Sequence, residues 1–271
     1  MDDYQLPTDK SLEIPFYKNH SVLPVALLRG ALFGVSQQRI LVKEKIIFTQ
    51  EGISICLSGE TFNQTDLKVY ESTINLYAKV NNGNGYLLTT YSNIAKEIGW
   101  SRCGKNIEII KNSIDRLIKS SIRIKINDKK NVRGFEYLGH LIDKCEFDKM
   151  LGKLRINFNY EIFPLFSISS YCLVEKEIVI HLGKKQLASW LFRFYSTHAQ
   201  PHDMSFEYLS KMAGISVSPD SKRMIKESLE NLKLVCNQVG YAFNYFIDKN
   251  KIKVVKQKSK SQTKFIAKRK S

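Results

Sequence analysis

Two stretches of this chain repeat each other at a fixed offset of 115 residues. Ile94-Ala-Lys-x-x-Gly99 corresponds to Leu209-Ser-Lys-x-x-Gly214, and Ile110, Ile114 and Leu117 correspond to Ile225, Leu229 and Leu232. Each stretch reads as a short helix ended by glycine, which readily takes the left-handed conformation common just past a helix. A tight turn and a longer amphipathic helix follow. Short helix, turn and longer helix make a helix-turn-helix, and a β-hairpin after it makes the winged variant. The repetition therefore predicts an α+β fold of two tandem winged-helix domains related by internal duplication.

The flanking sequence supplies the remaining parts. Pro7, Pro15 and the polar positions between them give residues 1–20 no period, so they read as an extended lead-in. The first domain is placed at 21–165 and the second at 166–255. In the first, Ile53 to Leu57 alternates like a strand, and Thr65-Asp66 can cap a helix with Leu67, Tyr70, Ile74 and Tyr77 on one face. Ile122 to Ile126 alternates strictly before a basic turn, Asp128 to Gly134, and strand-like runs at Phe135 to Ile142 and Leu154 to Tyr160. That basic turn is expected at the tip of the first wing. In the second domain, Lys185 to His198 is amphipathic, and Ser218 can cap a helix with Pro219 in its first turn. A hairpin from Leu234 to Val255 with Asp248 to Lys251 at its tip is the expected second wing.

Charge narrows the choice of partner. The chain carries 42 Lys+Arg against 26 Asp+Glu, a net charge of +16. Nine of the cations and no acid lie between Lys251 and Ser271. Periodicity lapses from Lys256, so residues 256–271 read as a flexible basic tail that attracts phosphates without reading sequence. The excess elsewhere also favours a polyanion, of which nucleic acid is the commonest. No apolar run reaches the roughly 18 residues of a membrane span, and the polar start lacks signal-peptide regions. The chain is read as soluble and cytoplasmic, with no membrane partner.

No catalytic constellation stands out. Five cysteines spaced 27 or more residues apart suit neither a disulfide framework nor a zinc knuckle. Pro201 interrupts the spacing between His198 and His202, so no metal site is expected. Asp143, Glu146 and Asp148 lack a basic partner at a telling spacing. Trp100, Trp190, Phe192, Phe194 and Tyr195 mostly fall at core spacing rather than forming a stacking platform. Gly99-Trp-Ser-Arg-Cys-Gly104-Lys105-Asn106 approaches a phosphate-loop pattern, but Asn106 lacks the hydroxyl that would ligate magnesium, and a helix rather than a strand precedes it. No cofactor is expected.

The candidate DNA-binding residues follow from the two longer helices and their hairpins. In the first unit they are Arg102, Lys105, Asn106, Asn112 and Arg116, with Lys129, Lys130 and Arg133 on the wing. In the second they are Ser221, Lys222, Arg223 and Lys226, with Lys249 and Lys251 on the wing. One helix fits the major groove, and its first turns reach base edges while wing lysines meet phosphates. Arg223 is the best placed for a guanine, although an ion pair with Glu227 at i+4 is the alternative.

Three motifs carry a resemblance to a known family. Leu23-Pro-Val-Ala-Leu-Leu-Arg-Gly-Ala-Leu-Phe33, Ile53-x-x-x-x-Ser58-Gly-Glu60 and Ile98-Gly-Trp-Ser-Arg-Cys-Gly-Lys105, leading to Asp115-Arg-Leu117, resemble the TrfA-type plasmid replication initiators. The motif order matches over about Leu23 to Val255. The resemblance implies a bacterial, plasmid-associated protein with two winged-helix domains. Such a protein binds origin repeats, iterons, as a monomer in equilibrium with a homodimer, and helps open A·T-rich duplex. It also recruits the host replication initiator and helicase. Some members engage the sliding clamp through a glutamine-leucine-phenylalanine motif, of which this chain has no convincing copy. Carried over, the contact helices are Ser101 to Lys119 and Ser218 to Val235. Two rival readings remain at this stage: a repressor built from the same modules, and a nucleotide hydrolase built on Gly104-Lys105.

Overall fold

Pro24 ends one element and starts another. Strand β1 (His20–Pro24) runs into it, and its φ of −59° begins the one-turn helix α1 (Val25–Leu28). Residues 14–80, 85–127, 134–168 and 171–270 are described by this computed structural model. Next come β2 (Phe33–Gly34), β3 (Leu41–Ile47), β4 (Ile53–Glu60) and β5 (Phe62–Asn63). Helix α2 (Gln64–Val80) follows at once. Asn63, not Thr65 or Asp66, starts it: its Oδ1 accepts the Thr65 N–H, and Asp66 Oδ2 accepts the Asn63 N–H, a reciprocal cap.

Strand β6 (Tyr86–Thr89) leads to α3 (Tyr91–Ile98) and α4 (Gly104–Lys119). Four strands follow: β7 (Ser121–Ile126), β8 (Phe135–Gly139), β9 (Ile142–Asp148) and β10 (Lys153–Phe158). A short α5 (Leu165–Ile168) and β11 (Tyr171–Glu175) precede α6 (Lys176–Leu182) and α7 (Gln186–Ser196). The chain continues through β12 (Met204–Ser205), α8 (Phe206–Ala213), α9 (Pro219–Gln238), β13 (Phe243–Asp248) and β14 (Lys251–Lys256). Helix α10 (Lys260–Lys270) ends it. The fold mixes helix and strand as expected, and no described helix is long and apolar enough to cross a membrane.

The sheets correct two expectations. Strands β3-β4-β7-β8 form one antiparallel sheet, so the strands flanking the basic turn belong to it. The hairpin that pairs with β6 is β9–β10, in the order β6-β10-β9. Strands β12-β14-β13 are ordered in the same way, each short strand beside the last strand of its hairpin. In the second hairpin, residues from Leu234 to Gln238 belong to α9, and pairing starts only at Phe243.

The basic C-terminal segment is a third correction. It is helical over Lys260–Lys270 rather than a flexible arm. Ser259 and Gln262 explain why: Ser259 Oγ accepts the Gln262 N–H and Gln262 Oε1 accepts the Ser259 N–H, each at 3.2 Å, which is a capping box. Gln262 Nε2 also donates to the Ser196 carbonyl at 2.8 Å, fastening α10 to the end of α7.

Residues on both sides of position 165 share one apolar core. Polar groups cross the same seam. Arg193 of α7, 1% exposed, holds the Glu71 carboxylate of α2 at 2.5 Å and Gln64 Oε1 at 3.1 Å. Lys68 donates to the Gly183 carbonyl, and Gln186 Nε2 donates to Thr65 Oγ1 at 3.0 Å. Strand β1 pairs antiparallel with β11, His20 opposite Glu175.

Arg193→Met strands the buried Glu71 carboxylate. It costs about 3 to 5 kcal/mol, a fall in Tm on the order of 10 °C, and Glu71→Leu added to it restores most of the loss. His198, buried with Nδ1 2.9 Å from the Phe194 carbonyl, gives a pH signature. Burial, aided by the nearby Arg29 charge, pushes its pKa from 6.5 down to about 4. The unfolded chain therefore takes up this proton first. Stability from this residue is complete above pH 6.5 and lost as pH falls to about 4, by about 3 kcal/mol. Thermal unfolding of wild type and His198→Gln should show a Tm gap that is constant above pH 7 and shifts against the wild type below 6.5. A gap independent of pH refutes this assignment.

Candidate nucleic-acid interface

Both helix-turn-helix corners are built by the same local chemistry. Thr90 Oγ1 accepts the Asn93 N–H and Ser205 Oγ accepts the Tyr208 N–H, each at 3.1 Å, which starts α3 and α8. Gly99 at φ 82° and Gly214 at φ 72° end them. The N–H groups after them turn back, Trp100 to the Ala95 carbonyl at 2.8 Å and Ile215 to the Ser210 carbonyl at 3.0 Å. A side chain at either glycine meets a packed neighbour, Ile180 at Gly99 and Ala31 at Gly214. Helices α4 and α9 then bury Ile110, Ile114 and Leu117, and Ile225, Leu229 and Leu232.

The N-terminal end of α4 is open and positive. Arg102 and Lys105 are exposed, and the first turn holds no acid. A Cβ on Gly104 would meet nothing within 4 Å, so the free backbone N–H groups are accessible to an anion. Asn112 is exposed further along the helix. Asn106 is half-buried, and its amide donates to the Ser101 carbonyl at 2.9 Å and to Ser101 Oγ at 3.1 Å. It pins the turn of the corner, so the stretch resembling a phosphate loop is here a connection between two helices.

Two expected contacts are structural instead. Arg116 points inward, 3.0 and 3.1 Å from Asp66 Oδ1, and Arg39 holds the other carboxylate oxygen at 2.6 Å. Asp66 is fully buried, so the two guanidiniums offset the cost of burying its charge. Ser221 is buried as well. Its Oγ receives the Ser218 N–H at 3.1 Å while its own N–H donates to Ser218 Oγ, capping α9, and it meets Ser210 Oγ across the corner. Neither side chain faces solvent.

The three cations expected as contacts on α9, Lys222, Arg223 and Lys226, are exposed. Arg223 lies 3.4 Å from Asp220 and 3.3 Å from Glu227, so the expected i+4 pair is formed. Such exposed pairs contribute about 0 to 1 kcal/mol, less than the 1 to 3 kcal/mol of a good bidentate base contact. They do not hold Arg223 back. Lys222 and Lys226 lie over the Phe206 ring, 5.2 and 5.9 Å from its centroid. On β13–β14, Lys249 and Asn250 both take positive φ, 42° and 75°, forming a two-residue turn of the primed type. Lys249 and Lys251 are exposed there.

Lys129, Lys130 and Arg133 lie outside the described residues. The hairpin beside α3 and α4 carries other cations: Lys149 and Lys153 are exposed, and Arg155 stacks 4.0 Å above the Tyr86 ring centroid. Sequence periodicity misses them because β9 alternates poorly, but Gly152, at φ 61°, is the turn signal that could have found them.

A family model described as TrfA protein matches residues 6–245. Among solved structures, a crystal structure of domains 2 and 3 of RctB is similar with a TM-score of 0.59 at 11% identity, covering 86% of this chain and 98% of that one. A second structure of RctB domains 2–3 gives 0.55 at 12% identity, covering 87% and 97%. The Pi initiator protein in complex with iteron DNA gives 0.47 at 10% identity, covering 73% and 96%. No curated protein matches the chain.

The geometry separates scaffold from surface. Arg116→Ala should lower unfolding free energy by about 3 kcal/mol, because Asp66 keeps only one guanidinium. Lys105→Ala and Arg223→Ala should stay within about 0.5 kcal/mol of wild type. Urea unfolding at unchanged slope measures all three, and an unaffected Arg116 variant would return that residue to the surface set.

Proposed function

Since the chain belongs to the TrfA family of plasmid replication initiators, we propose that it binds repeated sites in an origin through two tandem winged-helix domains. Helices α4 and α9 are the recognition helices, with β9–β10 and β13–β14 as their wings. The observation that carries this reading is the pair of corners whose caps, glycines and returning N–H groups recur at the same 115-residue offset. The identical strand order of the two three-stranded sheets supports it. The domains divide near residue 165, and their similarity reflects an internal duplication.

Binding is division of labour. Arg102 and Lys105 at the start of α4, with Asn112 beyond them, meet one major groove, while Lys222, Arg223 and Lys226 of α9 meet another. Lys249 and Lys251 sit against phosphates, and Lys129, Lys130 and Arg133 add to the positive field. Sequence is read at base edges, and register is set at the backbone. The chain does no covalent chemistry in this reading. Its work is to bend the duplex, so that neighbouring A·T-rich DNA opens and the host initiator and helicase can load. A homodimer would serve as a reserve that does not engage the sites.

Footprinting on DNA flanking the gene should give evenly spaced protection about every two helical turns; a single protected site would favour a simple repressor. On the protected site, Arg223→Ala should cost about 1 to 3 kcal/mol and much less on random DNA. Lys105→Ala should weaken both alike and reduce the salt slope by about one unit. Equal losses for Arg223→Ala on both DNAs would demote it to a backbone contact.

A further inference from the structure

We propose that the tip of the β9–β10 hairpin is an apolar wedge that enters the minor groove next to the groove occupied by α4 and unstacks a base step there. Met150 is 97% exposed and Leu151 55%, and Phe147, 60% exposed, stands below them on the strand. Three large apolar side chains at one hairpin end are exposed to water at a cost unless something covers them.

The tip is built to hold them out. Asp148 Oδ1 accepts the N–H groups of both Met150 and Leu151, at 3.0 and 2.9 Å, which fixes the turn backbone before any partner arrives. Gly152 completes the turn with φ 61°. Strand β10 pairs with β6, which leads directly into α3 and α4, so the tip is tied to the helix-turn-helix corner through a sheet and not through a loose loop.

Charge chooses the partner. Lys149 and Lys153 flank the apolar residues, both exposed. The nearby acids are engaged: Asp148 faces the turn N–H groups, and Glu146 holds Lys144 at 2.6 Å. An apolar point collared by free cations fits a groove walled by phosphates, and methionine and leucine are among the side chains that wedge between base steps. The other hairpin has exposed Phe246 and Ile247 on its strand but turns on the polar pair Lys249-Asn250, so it has no counterpart of Met150 and Leu151. One wing therefore kinks and the other only grips, which makes the bend one-sided. This inference rests on the DNA-binding reading above.

The test uses the full chain and a duplex that it selects from random-sequence DNA, with 2-aminopurine at successive steps and dyes at the two ends. With wild type, 2-aminopurine brightens at one step beside the α4 site, and energy transfer reports a bend of at least about 20°. Met150→Ser with Leu151→Ser abolishes the brightening, reduces the bend and weakens binding about tenfold. A mismatch at the same step, which supplies the unstacking in advance, restores the affinity. Lys149→Ala weakens binding but keeps the bend. Thermal unfolding of the double variant stays at the wild-type Tm, since both side chains are exposed. If the double variant bends and unstacks the duplex like wild type, the wedge is wrong and the initiator reading stands. If wild type selects no duplex, the DNA-binding reading falls and the wedge with it.

Discussion

Helix α2 lies in the middle of the molecule with charged residues on several sides, and its burial requires each of them to be answered. Asp66 is answered by Arg39 and Arg116, Glu71 by Arg193, and Lys68 by the Gly183 carbonyl. Desolvation beside Arg193 drives the Lys68 ammonium down to about 8, so even this cation feels the dryness of the seam. Buried ion pairs add little to stability compared with apolar side chains of the same size, but they tolerate few misalignments. Arg116 belongs to α4 and Arg193 to α7, so the same central helix fixes both α4 and the helix that backs α9. The placement of α4 relative to α7 is thereby tied to this one buried centre.

Much of this was legible from residues alone. Amphipathic spacing marked α2, α4, α7 and α9, and the two glycines marked the ends of α3 and α8, because those signals are local. The matching capping residues Thr90 and Ser205 deepen the repeat in the same register. Arg116 was misread because helical projection placed it away from the core of its own unit, and only the fold brings α2 and Arg39 around it. Ser221 shows the same limit at shorter range: three residues from an N-cap, a small hydroxyl serves the backbone rather than the solvent.

The role of the β9–β10 hairpin beside β6 escaped for another reason. The register of 115 residues holds up to the end of α4 and then breaks, because β7 and β8 come next and complete a sheet with β3 and β4. The alternating run that directly follows the helix, with its basic turn, therefore belongs to that sheet and not to β9–β10. The capping box at Ser259 was readable as Ser-x-x-Gln, but charge density hid it. Of the candidate site, the exposed cations of α4 and α9 came from sequence, while the cations of the β9–β10 hairpin came only with the topology.

The pairing of β1 with β11 carries a cost in time. A ribosome adds roughly 5 to 20 residues per second, and His20 must wait for Glu175 before its strand has a partner. For on the order of ten seconds the nascent segment Val22 to Leu28, apolar throughout except for Pro24, has no strand edge to join, and only α2 to pack against. The closing of this one two-stranded sheet thus belongs to the last third of synthesis, however early its first strand leaves the ribosome.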